Sequence, residues 1–192
     1  MVNKSIMIVG VGGQGTLLAS KLIGGAAMEK GCDVKVSEVH GMSQRGGSVV
    51  TYVKYGENIA SPVINKGEAD IIIAFEQLEA ARWLEYLKKG GKMIVNVQKL
   101  NPMTVITGAA KYPENIIDKL KATGAEIFEI DALETAEKAG SIKTVNTVLL
   151  GYAAGFMDFS HEIWTKVIKS TVPEKFVEVN LKAFEDVYEE KV

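Results

Sequence analysis

Residues 6–16 read Ile6-Met7-Ile8-Val9-Gly10-Val11-Gly12-Gly13-Gln14-Gly15-Thr16. Four consecutive apolar residues without alternation predict a strand covered on both faces, as in a parallel sheet flanked by helices. The glycines that follow permit a tight turn. Thr16 to Lys30 then places Leu17, Leu18, Leu22, Ala26 and Met28 at mostly helical spacing, and Gly31 stops the helix. Strand, glycine turn and helix in that order open an α/β fold.

Outward from this unit, Val34 to Val39 reads as a second strand and Ser48 to Tyr55, β-branched and aromatic, as a third. Gly56-Glu57-Asn58 reads as a turn and Ile59 to Ile64 as the returning strand of a hairpin, a small antiparallel excursion. The alternation resumes with strand Ala69 to Phe75, helix Glu76 to Lys89 stopped by Gly90-Gly91, and strand Lys92 to Val97. A short helix Glu114 to Ala122, strand Glu126 to Ile130 and helix Ala132 to Ala139 follow. Thr144 to Met157 is an apolar helix whose small residues predict close packing on another backbone; Ser160 to Ser170 and Pro173 to Glu190 read as amphipathic helices. The expectation is one three-layer α/β domain over residues 1–192, with a mainly parallel Rossmann-like sheet, an inserted β-hairpin and C-terminal helices.

Composition narrows the function. The 192 residues are 47% hydrophobic and 24% charged, an ordinary globular balance, with a formal net charge of -2. Without a basic excess, neither nucleic acid nor an anionic membrane is the expected partner. The run Ile6 to Val9 is too short for a secretory core or a bilayer span, so the cytoplasm is the expected compartment. Cys32 is the single cysteine. It forms no disulfide framework, and neither a zinc site nor an iron–sulfur cluster fits the chain alone. It has no activating neighbours in sequence, so it reads as a buried or half-buried thiol.

Two segments concentrate chemistry. Gly10, Gly12 and Gly15 match the dinucleotide fingerprint in the right context, and Glu38, 23 positions beyond Gly15, stands where an acid would meet ribose hydroxyls. The same glycines also serve plain helix–strand packing. Gly13 and Gln14 are unusual for a nicotinamide site; Gln14 puts an amide at the helix start, available to a ligand or a facing subunit. The second segment is Glu38-Val39-His40-Gly41-Met42-Ser43-Gln44-Arg45-Gly46-Gly47. It leaves the carboxyl end of the second strand, the edge where ligands collect in open α/β sheets, and should neighbour the glycine loop there. Arg45 suits a phosphate or carboxylate. His40 suits proton transfer or simple hydrogen bonding. Ser43 lacks a nucleophile elbow. The plainer alternative is a structured loop in which Glu38 pairs with Arg45. His161, beside Ser160 at a helix start, reads as structural or surface.

Together these two motifs resemble the gamma-type domain of the 2-oxoacid:ferredoxin oxidoreductases, most closely the small-subunit branch of the indolepyruvate type. Asn146 before Leu149-Leu150-Gly151, and Asn180 to Glu185 in the last helix, fit the same family. The resemblance spans nearly the whole chain. It implies a complex that decarboxylates a 2-oxoacid, transfers the acyl group to coenzyme A and reduces ferredoxin. It further implies that thiamine diphosphate and the iron–sulfur clusters sit on a large partner subunit, with no cofactor on this chain and arylpyruvates as substrates. No residue receives a catalytic role; His40, Ser43, Gln44 and Arg45 are expected to line a shared cavity, with the glycine loop an interface or anion cradle. A self-sufficient NAD-binding oxidoreductase and a non-enzymatic scaffold are the competing readings.

Overall fold

The computed structural model describes residues 3–38 and 47–189. In chain order these form β1 (Lys4–Val11), α1 (Thr16–Glu29), β2 (Asp33–Glu38), β3 (Ser48–Gly56), β4 (Ala69–Ala74), α2 (Gln77–Trp83) and β5 (Leu87–Asn96). There follow α3 (Met103–Ile106), α4 (Ile116–Ala122), β6 (Glu126–Ile130), α5 (Ala132–Ala139), α6 (Val145–Ala154), α7 (His161–Thr171) and α8 (Val177–Glu185).

The six strands make one sheet in the order β2-β3-β1-β4-β5-β6. The pairs β1–β4, β4–β5 and β5–β6 are parallel, whereas β3 runs antiparallel to both β1 and β2. Only β3 is reversed, so the other five strands present their carboxyl ends at one edge. Side chains of β1 alternate between two cores. Ile6 and Ile8 pack with residues of α1, α5, α6, α7 and α8, while Met7 and Val9 pack with α2 and α4. The apolar run of β1 thus reflects burial on both faces, and the expected three layers are present.

Small residues set how closely the helices approach. A β-carbon on Gly151 of α6 would lie 2.8 Å from the Phe184 carbonyl oxygen of α8, and one on Gly25 of α1 would lie 2.7 Å from a Val167 methyl of α7. Thr147 Oγ1 donates across α6 and α8 to Asn180 Oδ1 at 2.6 Å, and Asn180 Nδ2 donates to the Phe176 carbonyl.

Two element expectations need correction. The antiparallel excursion exists, but Ile59 to Ile64 is not its returning strand; residues 59–64 form no strand. Both edges of β3 are already occupied, by β1 and β2, so no edge remains for a third partner. Ile59 and Ile64 instead anchor a loop as buried side chains, and Pro62 lacks the N–H a ladder requires. The helix expected over Glu76 to Lys89 ends at Trp83. A 3-10 turn over Leu84–Tyr86 follows, and Leu87 already pairs with Ala69 in the sheet. Gly90, with φ 76°, and Gly91, whose β-carbon would meet the Ala69 and Lys88 carbonyls at 2.9 Å, belong to a bulge in β5 and not to a helix stop.

Candidate functional site

The carboxyl edge of the sheet assembles most of the described candidate residues. Gly10 ends the buried part of β1, and a β-carbon there would press on Gln14 Oε1 at 2.9 Å and the Phe75 Cβ at 3.0 Å. Gly13 and Gly15 have φ of 100° and 84°, the left-handed region that disfavours other residues. Gly15 is the N-cap of α1 and has no side chain to satisfy the helix, and the first turn holds no acidic residue. The opening N–H groups of a helix lack intrahelical partners and carry a partial positive charge. Here they border a cleft of about 330 Å³ lined by the glycine loop, Thr16, Leu17, Glu38, Val49 and Thr51.

The two loops do meet where both are described. The Gly12 N–H donates to the Gly47 carbonyl at 2.9 Å. Glu38 borders the cleft and accepts from the buried Ser20 hydroxyl at 2.9 Å. Beyond Glu38, α1, β2 and α7 flank a larger open groove of about 760 Å³. His40, Gly41, Ser43, Gln44, Arg45 and Gly46 lie outside the described residues, and so does the alternative pairing of Glu38 with Arg45.

Gln14 is turned inward. Its Oε1 accepts from the Val11 N–H at 2.7 Å, and its Nε2 donates to the Phe75 carbonyl at 3.1 Å and Gln98 Oε1 at 3.3 Å. Asn96 Nδ2 donates to the same Phe75 carbonyl at 3.1 Å, and Asn96 Oδ1 accepts from the Ala132 N–H at the start of α5. A chain of carboxamides therefore links the glycine loop to the ends of β4 and β5 and to α5. Asn146 of α6 completes the frame, donating from Nδ2 to the Gly15 carbonyl at 3.4 Å.

A second polar knot lies beside it. Glu76, buried at the end of β4, caps α2 by accepting from the Glu79 N–H at 3.0 Å. Its other oxygen accepts from the Leu100 N–H at 3.1 Å and from the Tyr112 hydroxyl. Burial, reinforced by the adjoining Glu76 carboxylate, pushes the Tyr112 phenol well above its ordinary pKa. Glu79, also buried, accepts from the Ser48 hydroxyl at 2.5 Å and pairs with Arg82 at 2.9 Å. Glu76, Gln77, Asn96 and Gln98 belong to no sequence motif. The signal available was their position: polar residues directly after apolar strand runs stand at the carboxyl edge.

Among the described residues no group of three or more His, Cys, Asp and Glu side chains is placed to hold a metal ion. The sheet order also bears on the nucleotide reading. In a Rossmann unit the acid-bearing second strand adjoins β1; here β3 intervenes, and two interstrand spacings, about 9–10 Å, separate β2 from β1. Val49 and Thr51 of β3 wall the cleft on that side. His161 meets Glu185 at 2.5 Å on the surface, in line with a structural role, and Cys32 is buried.

The family model described as pyruvate ferredoxin/flavodoxin oxidoreductase matches residues 5–190. The chain is 43% identical over 192 residues to the indolepyruvate oxidoreductase subunit IorB of Thermococcus kodakarensis, covering 96% of this chain and 94% of that one. The crystal structure of a keto/oxoacid ferredoxin oxidoreductase gamma subunit from Geobacter sulfurreducens superposes with a TM-score of 0.70 at 27% identity, covering 98% of each chain. The fold also recurs in a 2-oxoglutarate:ferredoxin oxidoreductase from Magnetococcus marinus holding 2-oxoglutarate, coenzyme A and succinyl-CoA. That match has a TM-score of 0.72 at 19% identity and covers 97% of this chain and 30% of the other.

Proposed function

This chain belongs to the pyruvate ferredoxin/flavodoxin oxidoreductase family, and from that membership we propose that it is the small subunit of an indolepyruvate or related arylpyruvate:ferredoxin oxidoreductase, active only with a larger partner. The observation that carries the proposal is the near end-to-end match, at 43% identity, to an indolepyruvate oxidoreductase subunit. The complex would convert a 2-oxoacid, coenzyme A and oxidised ferredoxin into an acyl-CoA, carbon dioxide and reduced ferredoxin.

The donor set of this chain supports placing the iron–sulfur clusters on the partner, and thiamine diphosphate is assigned there with them. One cysteine in 192 residues falls short of a cluster's thiolates. When bound, those groups supply decarboxylation and electron transfer. This chain's residues would bind and orient. The open first turn of α1 and the glycine loop suit the diphosphate of coenzyme A. His40, Ser43, Gln44 and Arg45, between Glu38 and Gly47 in sequence, are assigned to the cavity shared with the partner. No helix among the described residues is long and apolar enough to cross a membrane, which is compatible with a cytoplasmic complex.

The test is reconstitution. The purified chain should be inert, and co-expression with the larger subunit should yield indolepyruvate-dependent, coenzyme A-dependent reduction of ferredoxin. Turnover by the chain alone, or a complex that ignores aryl 2-oxoacids, would refute the proposal. Thr16→Glu tests the anion cradle. A carboxylate in the first turn favours the free helix but repels a phosphate, so stability should hold while the KM for coenzyme A rises.

A further inference from the structure

A glutamine beside an anion-binding loop would ordinarily be read as a ligand contact. Here the carboxamide of Gln14 is occupied at both ends by the protein itself. Val11 lies three residues back, and two bonds close the turn between them: the Gln14 N–H to the Val11 carbonyl at 3.3 Å, and the Val11 N–H to Gln14 Oε1 at 2.7 Å. The Nε2 group then ties that closed turn to the Phe75 carbonyl at the end of β4. Gly10 makes this possible, since any β-carbon there would collide with both Gln14 Oε1 and Phe75.

We propose that Gln14 is a positioning residue for coenzyme A. It holds the glycine loop against β4, so that the first turn of α1 faces the cleft at a fixed height, without touching the ligand. The inference rests on the reading that the cleft receives the coenzyme A diphosphate. Phe75 anchors the arrangement firmly: it is fully buried, and its own N–H donates to the Val9 carbonyl at 2.9 Å. The loop therefore takes its position from the centre of the sheet. On the other side the Gly47 carbonyl accepts from the Gly12 N–H.

The experiment uses the complex of this chain with its larger subunit, with steady-state KM for coenzyme A and for the 2-oxoacid measured separately. Gln14→Met keeps the length and removes all three side-chain hydrogen bonds, to Val11, Phe75 and Gln98. Gln14→Glu keeps an acceptor for Val11 and loses the donor to Phe75, and it carries the test if the methionine variant does not fold. Both lose the tie to Phe75, and each is expected to raise the KM for coenzyme A about tenfold, the effect of roughly one good hydrogen bond, with kcat and the KM for the 2-oxoacid within about twofold. Thr16→Glu serves as the reference for the site. If Thr16→Glu raises the KM for coenzyme A and the Gln14 variants do not, the positioning role is wrong and the site stands. If neither substitution moves it, the site reading fails and takes the proposal with it. A Gln14 variant that lowers kcat and raises both KM values alike marks a general packing role and overturns the proposal.

Discussion

The amide nitrogen of Asn146 lies 3.2 Å from where a β-carbon on Gly15 would stand. The two residues are 131 positions apart in sequence, and Asn146 also donates to the Gly15 carbonyl. The N-terminus of α6 thereby fixes the cap of α1. Gly15→Ala meets two obstacles, this contact and a φ of 84°. The expected destabilisation is about 1–3 kcal/mol, read as a lower urea midpoint with unchanged slope.

Gly151→Ala should cost a similar amount for a different reason. The helix geometry is ordinary there, but the added methyl would lie 2.8 Å from the Phe184 carbonyl oxygen and 2.8 Å from a Val187 methyl. α6 and α8 must separate, which predicts a loss of about 1–3 kcal/mol. Differential scanning calorimetry should show the drop. Gly24→Ala, whose new methyl would make only ordinary contacts at 3.8 Å and beyond, should stabilise α1 by up to about 1 kcal/mol.

Two phenols predict the alkaline limb of stability. Burial raises the pKa of Tyr55, and burial followed by the Glu76 carboxylate raises that of Tyr112, both from an ordinary value of 10.0. A folded-state pKa above the unfolded one keeps the proton on the native chain where the unfolded chain has lost it. The contribution is whole below pH 10 and is lost as pH rises above it. Tyr55→Phe should flatten this decline in denaturant titrations between pH 9 and pH 11 (a window set by that phenol value). Because the Tyr55 hydroxyl is buried without a hydrogen-bond partner among the described residues, the substitution should cost little or nothing at pH 7.

Nicotinamide nucleotides should not bind. β3 stands between β1 and β2, and Glu38 is engaged by the Ser20 hydroxyl. Calorimetric titration of the chain with NAD should stay flat into the millimolar range. Saturable heat abolished by Glu38→Ala would restore the nucleotide reading.

The sequence announced what depends on short-range order. β1 showed as an unbroken apolar run because both faces are covered. Gly10 and Gly15 marked a turn that nothing larger would fit, and the small residues of α6 announced close packing on another backbone, which is that of α8. What was hidden depends on partners distant in sequence. Ile59 to Ile64 looks like a strand locally, and only the occupancy of both edges of β3 denies it a place. Leu84 and Leu87 continue the helical period of α2, yet pairing of Leu87 with Ala69 takes that residue into the sheet. The same holds at the site. The glycine loop and Glu38 were evident, but the inward turn of Gln14 follows from Phe75 and Gln98, whose nearness no spacing reveals.

The frame behind the cleft is made of carboxamides: Gln14, Asn96, Gln98 and Asn146. None of these groups gains or loses a proton between mild acid and mild alkali. A change of acidity over that range leaves the charge of this frame unaltered, so any pH dependence at the cleft must originate in side chains other than these four, Glu38 on its border among them.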